Sequence, residues 1–309
     1  MPERVSVAVP VLDGGERFRA LLDAVRAQRV PAEVELVVID SGSTDGSAEV
    51  AEAAGARVER IVPAAFSHGG TRNRLMELAT GDVVAFLTQD AVPVGDGWLA
   101  ALLAGFELDD DVALVCGPHR PRPDASPMVR RELREFFARF GDAPRVDRDA
   151  TNLGPASFFS SVNGAVARPA WERIPFRTVD YAEDHHLAAD MLRAGFAKAY
   201  VPAAAVEHSH DYPGFGWLRR VFDEFSALHE VHGLREPLSP RWIAARVRND
   251  VAAERAALAR EGVNGRALDA ATLDALRYHA QRALGRSLGT NADRLPAPVR
   301  RRLSLAGRR

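Results

Sequence analysis

Short apolar segments alternate with segments of helical periodicity along residues 5–87, and this alternation restricts the fold more than any other feature. The apolar segments are residues 5–9, 34–39, 58–62 and 83–87, and the helical ones between them are residues 16–28, 47–54 and 71–79. Short β-branched segments that are separated by helices are typical of βαβ units. The sequence therefore predicts an α/β fold with a Rossmann-like, mainly parallel sheet that is covered by helices on both faces.

The rest of the chain predicts a continuation of this sheet, followed by helices alone. We expect helices at residues 98–106, 128–140 and 183–194, strands at 112–116 and 199–201, and a bulged or Gly-broken strand at 160–168. Residues 118–127 are a predicted loop, and the polar residues 143–155 are a predicted mobile segment. Helical periodicity continues at residues 215–232, 242–261 and 267–284. We therefore expect one domain over residues 1–212 and a helical extension over residues 213–309.

The chain has 309 residues, enough to bury a substantial core, and its single cysteine, Cys116, excludes an internal disulfide. We find neither a signal peptide nor an apolar stretch long enough to span a membrane, which favours a cytoplasmic protein. The basic residues 300–309 admit two interpretations: a solvated chain end, or a segment attracted to the anionic inner face of a membrane. No nucleic-acid motif accompanies them, so we expect no nucleic-acid partner.

Acidic residues stand where predicted strands end. Asp13, Asp40 and Asp90 lie at or just after the ends of apolar segments. The carboxyl ends of strands border the ligand crevice of open α/β sheets, so these carboxylates are candidate site residues. Glu183 and Asp184 open a predicted helix, where a carboxylate either caps the helix or belongs to a ligand site.

Two histidines follow an apolar segment that ends at Val206. His208 and His210 lie on one face if the chain stays extended, and near acidic residues this spacing makes a metal site an alternative to two structural histidines. The sequence lacks a G-x-G-x-x-G motif, a P-loop and a G-x-S-x-G nucleophile elbow. The enzymes that are built on those motifs are therefore disfavoured.

Five motifs occur in a defined order along the chain. They are Val7-Ala8-Val9-Pro10, Asp40-Ser41-Gly42-Ser43-Thr44-Asp45-Gly46, Arg72-Asn73, Thr88-Gln89-Asp90 and Glu183-Asp184. Over residues 4–212 this pattern resembles the inverting glycosyltransferases of family 2, which have the GT-A fold. The variants around Asp40 and Asp90, with residues 66–73 between them, are most similar to bacterial rhamnosyltransferases. That resemblance implies transfer of L-rhamnose from dTDP-rhamnose to a surface polysaccharide.

The resemblance also implies roles for residues that bind the donor. Pro10 and Val11 would line the nucleotide pocket, and Asp40 would accept a hydrogen bond from N3–H of uracil or thymine. Arg72 and Gln89 would contact the nucleotide or its diphosphate. The donor would thus be a dTDP-linked or UDP-linked sugar.

The resemblance further implies a divalent ion, Mg²⁺ or Mn²⁺, on the diphosphate. Asp90 would hold this ion, with His208 or His210 as a further ligand. The first acid of the family's Asp-x-Asp motif is replaced here by Thr88, and a hydroxyl is a weaker ligand for a hard cation. The motif is thus reduced to a single carboxylate.

The remaining implied roles concern the acceptor, which would be a hydroxyl of a glycan or of a lipid-linked saccharide. Asp184 would be the catalytic base, and Glu183 would position its neighbours. Asn163 and residues 143–155 would help to hold the reactants in line, and Trp171 would stack on an acceptor sugar.

Other functions stay open at the level of sequence. A nucleotidyltransferase also uses acidic metal ligands on such a sheet, but residues 12–16 are acidic where that class has a basic loop. A metal-dependent hydrolase would need a two-metal pattern that the histidines lack. A non-catalytic scaffold that binds nucleotide sugars would explain Thr88. The helical extension admits core packing, a homo-oligomer interface or contact with a membrane.

Overall fold

An eight-stranded, mainly parallel sheet forms the centre of the first part of the molecule in the computed structural model, which describes residues 2–151, 154–179 and 181–306. Its strands are β1 (Arg4–Val11), β2 (Glu33–Asp40), β3 (Arg57–Arg60), β4 (Val83–Leu87), β6 (Val112–Cys116), β8 (Arg145–Asp147), β9 (Asn163–Ala167) and β10 (Ala197–Tyr200). They are ordered β3-β2-β1-β4-β9-β6-β10-β8. β9 is antiparallel to β4 and β6, and β8 is antiparallel to β10.

Helices cover both faces of this sheet. They are α1 (Gly15–Arg26), α2 (Ser47–Ala53), α3 (His68–Leu78), α4 (Trp98–Gly105), α5 (Pro127–Ala138), α6 (Arg168–Arg173) and α7 (Glu183–Arg193), with short 3-10 turns at Pro63–Ala65 and Phe106–Leu108. One core contains side chains of α1, α2 and α4, and the other contains side chains of α3, α5, α6 and α7. The sequence-based prediction of an α/β fold with a helix-covered, mainly parallel sheet is confirmed.

A second, three-stranded sheet includes one strand from the segment that we expected to be a loop. Its strands are β5 (Val92–Pro93), β7 (His119–Arg120) and β11 (Val206–Glu207), with β11 in the centre. β11 is antiparallel to β5 and parallel to β7. The expectation of a loop throughout residues 118–127 is therefore wrong, because two-residue strands leave no periodic signal in the sequence.

Two of the predicted boundaries differ from the structure for local reasons. Helix α3 begins before residue 71, because the hydroxyl of Ser67 accepts a hydrogen bond from the amide of Gly70 and caps the helix. The predicted strand at 160–168 is shorter, since the amide of Asn163 donates to Ser160 O at 3.2 Å in a turn. Gly164 allows a close approach rather than a bulge, because a Cβ there would lie 2.6 Å from Ser160 O.

The polar segment at 143–155 contains the edge strand β8, so the expectation of a wholly mobile segment is wrong. Asp147 of this strand pairs with the fully buried Lys198 of β10 at 3.2 Å. The same ammonium group donates to the carbonyl of Pro155 at 2.9 Å. A buried charge needs such partners, which explains why this part of the segment is fixed. Residues 152–153 of the prediction lie outside the described residues.

The chain divides into two compact units, one of residues 1–125 and 129–210 and the other of residues 126–128 and 211–309. The second unit contains α8 (Gly216–His232), α9 (Pro240–Arg260), α10 (Gly265–Gly289), a 3-10 turn (Ala292–Arg294) and α11 (Ala297–Leu303). Asp223 Oδ2 accepts hydrogen bonds from the amides of Leu305 and Ala306, which fix the backbone here, while the side chains of Arg300, Arg301 and Arg302 are exposed. Residues 307–309 lie outside the described part.

None of the helices within the described ranges combines the length and the apolar content that crossing a bilayer requires.

Candidate active site

The carboxyl ends of β1, β2 and β4 meet at one edge of the main sheet. The chain adds β2 and β3 on one side of β1 and then returns to place β4 on the other side. Such a switch in strand order opens a crevice beyond the strand ends, where open α/β sheets bind ligands. Pro10, Asp40 and Gln89 stand at this edge.

Asp40 has one carboxylate oxygen without a partner. Its Oδ1 accepts hydrogen bonds from the amides of Gly42 and Ser43 at 2.9 and 3.0 Å, which fixes the carboxylate plane. Its Oδ2 is buried and has no hydrogen-bond partner within the described residues. A buried acceptor in this state destabilises the protein unless a ligand supplies the donor. Asp40 is therefore suited to accept a hydrogen bond from a bound ligand.

Other residues of this edge are engaged within the protein. The amide of Gln89 forms two hydrogen bonds with the backbone of Leu12, at 2.7 and 3.0 Å. Asp13 accepts a hydrogen bond from the amide of Thr44 at 2.7 Å. The side chain of Val11 is 1% exposed and belongs to the core, which leaves its backbone for the nucleotide contact that we expect. These contacts fix the loop that follows β1.

Asp90, His208 and His210 form a cluster with the donor set of a divalent cation. Nε2 of His208 lies 3.6 Å from Asp90 Oδ1, and Nε2 of His210 lies 3.4 Å from Asp90 Oδ2. One donor atom from each of the three residues lies within 4.8 Å of the other two. Carboxylate and imidazole together suit Mn²⁺ better than Mg²⁺, which strongly prefers oxygen ligands.

The charges of this cluster favour ion binding. Burial acts to raise the pKa of Asp90, but His208, His210 and Arg122 outweigh it and hold this pKa below its usual value. Burial lowers the pKa of His208 well below its usual range, so its imidazole is neutral at neutral pH. Arg122 is therefore the permanent positive charge beside Asp90, with Nη2 2.5 Å from Oδ2. An ionised carboxylate and a neutral imidazole are the states that metal ligation requires.

A second acidic cluster stands at the start of α7. Glu183 Oε1 lies 3.0 Å from Nη1 of Arg72, and both side chains are 5% exposed. The hydroxyl of Ser161 donates to Glu183 at 2.9 Å. Asp184 accepts hydrogen bonds from the amides of Ser161 and His185 at 3.1 and 2.9 Å. Arg72 and Glu183 thus pair with each other, while the carboxylate of Asp184 is held by the backbone.

His119, which the sequence did not single out, lies close to both acidic clusters. Its ring packs edge-to-face on His208, with 5.4 Å between the ring centroids. Its Nε2 is buried and has no partner within the described residues. Burial lowers the pKa of His119 to about 4, although the charges of Asp184 and Asp90 act in the opposite direction. The ring is therefore neutral at neutral pH.

This lowered pKa predicts a pH-dependent stability that depends on His119. Below about pH 6.5 the unfolded chain takes up a proton at this ring, whereas the folded protein does so only near pH 4. In EDTA, the free energy of unfolding of the wild type should therefore decrease as the pH falls from 7 to 4. This decrease should exceed that of His119→Gln by up to about 3 kcal/mol. Urea unfolding at several pH values measures this difference, and identical pH profiles would contradict it.

Two predicted substrate-binding residues, Asn163 and Trp171, form hydrogen bonds within the protein. Asn163 is fully buried; it accepts a hydrogen bond from the indole of Trp98 and donates to the carbonyl of Ala204, both at 2.8 Å. Trp171 lies in α6, which follows directly after β9. The end of β9 pairs with the start of β4, and the indole of Trp171 donates to Asn73 at 2.8 Å. The structure does not bring Trp171 to the edge that carries Asp90, and both side-chain N–H groups of Asn163 already donate to backbone carbonyls, those of Ala204 and Pro118.

The sequence also missed Arg122. It stands 32 residues from Asp90 in a segment that was expected to be a loop. The proline and arginine content of residues 118–127 was visible, but nothing local indicated which arginine would reach the carboxylate. The pairing of β7 with β11 determines that Arg122 is the arginine that reaches Asp90. Such pairing depends on residues far apart in the sequence.

The site and the fold together define a family. The family model of Glycosyl transferase family 2 matches residues 6–170, which is more than half of the chain. The chain therefore belongs to this family and is a glycosyltransferase. It is 37% identical over 194 residues to the O-antigen chain rhamnosyltransferase WbaN of Salmonella anatum, with 61% of each chain covered. It is 32% identical over 226 residues to the O-antigen chain rhamnosyltransferase RfbN of Salmonella typhimurium, with 71% of each covered. The match thus spans less than two thirds of WbaN's own length.

Solved structures support the same fold class. The mannosyltransferase PcManGT from Pyrobaculum calidifontis, in complex with GDP-Man and Mn²⁺, has a TM-score of 0.62 at 20% identity over 95% of this chain and 86% of that one. Glucosyl-3-phosphoglycerate synthase from Mycobacterium tuberculosis, in complex with Mn²⁺, UDP and glucosyl-3-phosphoglycerate, has a TM-score of 0.52 at 20% identity over 76% and 81%. The predicted GT-A fold is thereby confirmed.

Proposed function

We propose that the protein transfers a sugar, with inversion, from a nucleotide-diphospho-sugar to a hydroxyl of a glycan or lipid-linked acceptor during assembly of a surface polysaccharide. One observation carries this proposal: a single compact unit holds an Asp40 oxygen that has no hydrogen-bond partner among the described residues, a set of possible ion ligands around Asp90 and a backbone-held carboxylate on Asp184. These are the groups that nucleotide recognition, departure of a diphosphate and proton removal require.

L-Rhamnose from dTDP-rhamnose is the donor that we propose. The identity to WbaN and RfbN, both named O-antigen chain rhamnosyltransferases, supports this choice over other nucleotide sugars. A panel of dTDP-, UDP- and GDP-linked sugars, assayed for donor hydrolysis and thermal shift, tests it. Turnover of a GDP-linked sugar in preference to dTDP-rhamnose would contradict it.

The reaction forms a bond between the acceptor oxygen and the anomeric carbon while the bond from that carbon to the diphosphate breaks. In our proposal Asp184 takes the proton of the acceptor hydroxyl, and the leaving oxygen keeps the electron pair. A divalent ion held by Asp90, His208 and His210 would neutralise the charge that develops on the diphosphate. Glu183 and Arg72 position the start of α7 through their buried ion pair.

Asp40 should recognise the nucleobase through N3–H. Replacing Asp40 by Asn puts an amide group where an acceptor is needed, and loss of a hydrogen bond to a charged group should weaken dTDP binding by about 10- to 100-fold. Titration calorimetry in the presence of Mn²⁺ measures this loss. As a matched test, N3-methyl dTDP should bind the wild type at least about tenfold more weakly than dTDP, whereas Asp40→Asn should distinguish the two ligands much less. Equal discrimination by both proteins would exclude this contact.

A further inference from the structure

Arg122 reaches the proposed ion site from the small sheet. Its Nη2 donates to Asp90 Oδ2 at 2.5 Å and to the carbonyl of the same residue at 3.1 Å. Its side chain is 12% exposed, and its Nε is buried without a partner within the described residues. A guanidinium group has five N–H donors, so this one retains donors for a further anionic partner.

The backbone holds Arg122 in place. Its amide donates to the hydroxyl of Ser209 at 3.1 Å, and the amide of His208 donates to the carbonyl of Arg120 at 2.9 Å. β7 and β11 pair through His119 with Val206 and through Arg120 with Glu207. Arg122 and the two histidines therefore belong to one hydrogen-bonded unit, and the arginine needs little ordering to act there.

The charges of the site leave a role for this arginine. With Thr88 in place of an acid, Asp90 is the single carboxylate of the motif. When the bond between sugar and diphosphate breaks, the diphosphate gains negative charge. A guanidinium group forms paired hydrogen bonds with phosphate oxygens, and its charge is independent of pH. An ion that binds Asp90 would also compete with Arg122 for that carboxylate.

We propose that Arg122 exchanges partners when the donor binds. In the ion-free protein it pairs with Asp90; when a divalent ion occupies the Asp90 carboxylate, the guanidinium group of Arg122 donates instead to the diphosphate oxygens of the donor. Arg122 is then a catalytic residue that stabilises the leaving diphosphate. This inference rests on the proposed function, because it requires a nucleotide-diphospho-sugar as the donor.

The test compares Arg122→Met with Arg120→Met, which removes an exposed arginine of β7 two residues away. Calorimetry measures Mn²⁺ binding without nucleotide, and then dTDP and dTMP binding with Mn²⁺. In Arg122→Met the preference for dTDP over dTMP should fall by about 10-fold or more, because the contact to the second phosphate is lost. Its affinity for Mn²⁺ should stay equal or rise, since the competing ion pair is gone. Arg120→Met should match the wild type in both measurements.

The opposite pattern would overturn the inference. If Arg122 served only to position Asp90, Arg122→Met would bind Mn²⁺ more weakly and keep its preference for dTDP. Arg122→Lys, which keeps the charge but loses the paired donors, should show a smaller loss of preference, and it carries the test if the Met variant does not fold. A wild type that binds Mn²⁺ but no nucleoside diphosphate would refute the proposed function itself.

Discussion

Replacing Asp184 by Asn should lower turnover by about 10²- to 10⁴-fold, the range that general base catalysis contributes. The amide keeps the size of the side chain and removes its ability to accept a proton. The acceptor hydroxyl must then attack with its proton still bound, which raises the barrier of the transfer step. Steady-state rates of sugar transfer at saturating donor measure this loss.

Nucleotide binding should survive the same change. The carboxylate of Asp184 accepts hydrogen bonds from the amides of Ser161 and His185, one on each oxygen, and an Asn oxygen retains one of the two. We therefore expect dTDP affinity within about threefold of the wild type, and a loss of stability of about 1 kcal/mol. Asp190→Asn makes the same chemical change on the same helix, where the carboxylate pairs with Arg177, and should keep turnover near the wild-type value. Near-wild-type turnover of Asp184→Asn would remove it as the base.

The fold followed from the sequence because its signals are local. The apolar segments that became β1, β2 and β4 have several consecutive core residues, and the helices between them bury every third or fourth side chain, as Phe18, Leu21, Leu22 and Val25 of α1 do. Both patterns can be read within a dozen residues. The two-residue strands β5, β7 and β11 have no such pattern, because only their partners define them.

The same contrast between local signals and long-range contacts applies to the residues of the site. Asp40 and Asp90 were found because they follow buried strands, and Asp184 because it opens a helix after a recognisable motif. Their hydrogen-bond partners were not found. The unpartnered Oδ2 of Asp40, the pairing of Arg72 with Glu183 and the approach of Arg122 to Asp90 all depend on contacts between distant segments. A motif indicates which side chains meet a ligand, but the contacts between segments decide which atoms remain free for it.

Loss of the proposed ion site should have the second large effect on turnover that we expect. Asp90→Ala removes the single carboxylate of the donor set and leaves the guanidinium group of Arg122 without its partner. We expect at least a 100-fold loss of Mn²⁺-dependent turnover, equivalent to about 2.7 kcal/mol of lost stabilisation of the leaving diphosphate. Metal titrations of transfer activity and of Mn²⁺ binding measure both halves of this effect, and EDTA should reduce the wild type to the level of the variant.

The histidines of the cluster should differ in their contributions. The side chain of His208 is 12% exposed and that of His210 is 43% exposed. Because the more buried ring of His208 is held more rigidly, we expect His208→Ala to weaken Mn²⁺ binding more than His210→Ala does. The matched control for Asp90→Ala is Asp82→Ala. The exposed side chain of Asp82 lies at the opposite end of β4, far from the proposed ion site. A variant Asp90→Ala that binds Mn²⁺ within twofold of the wild type would exclude Asp90 as a ligand. In that case the pairing of Asp90 with Arg122 would be a structural ion pair, and the two histidines alone would be too few ligands for a tightly bound ion.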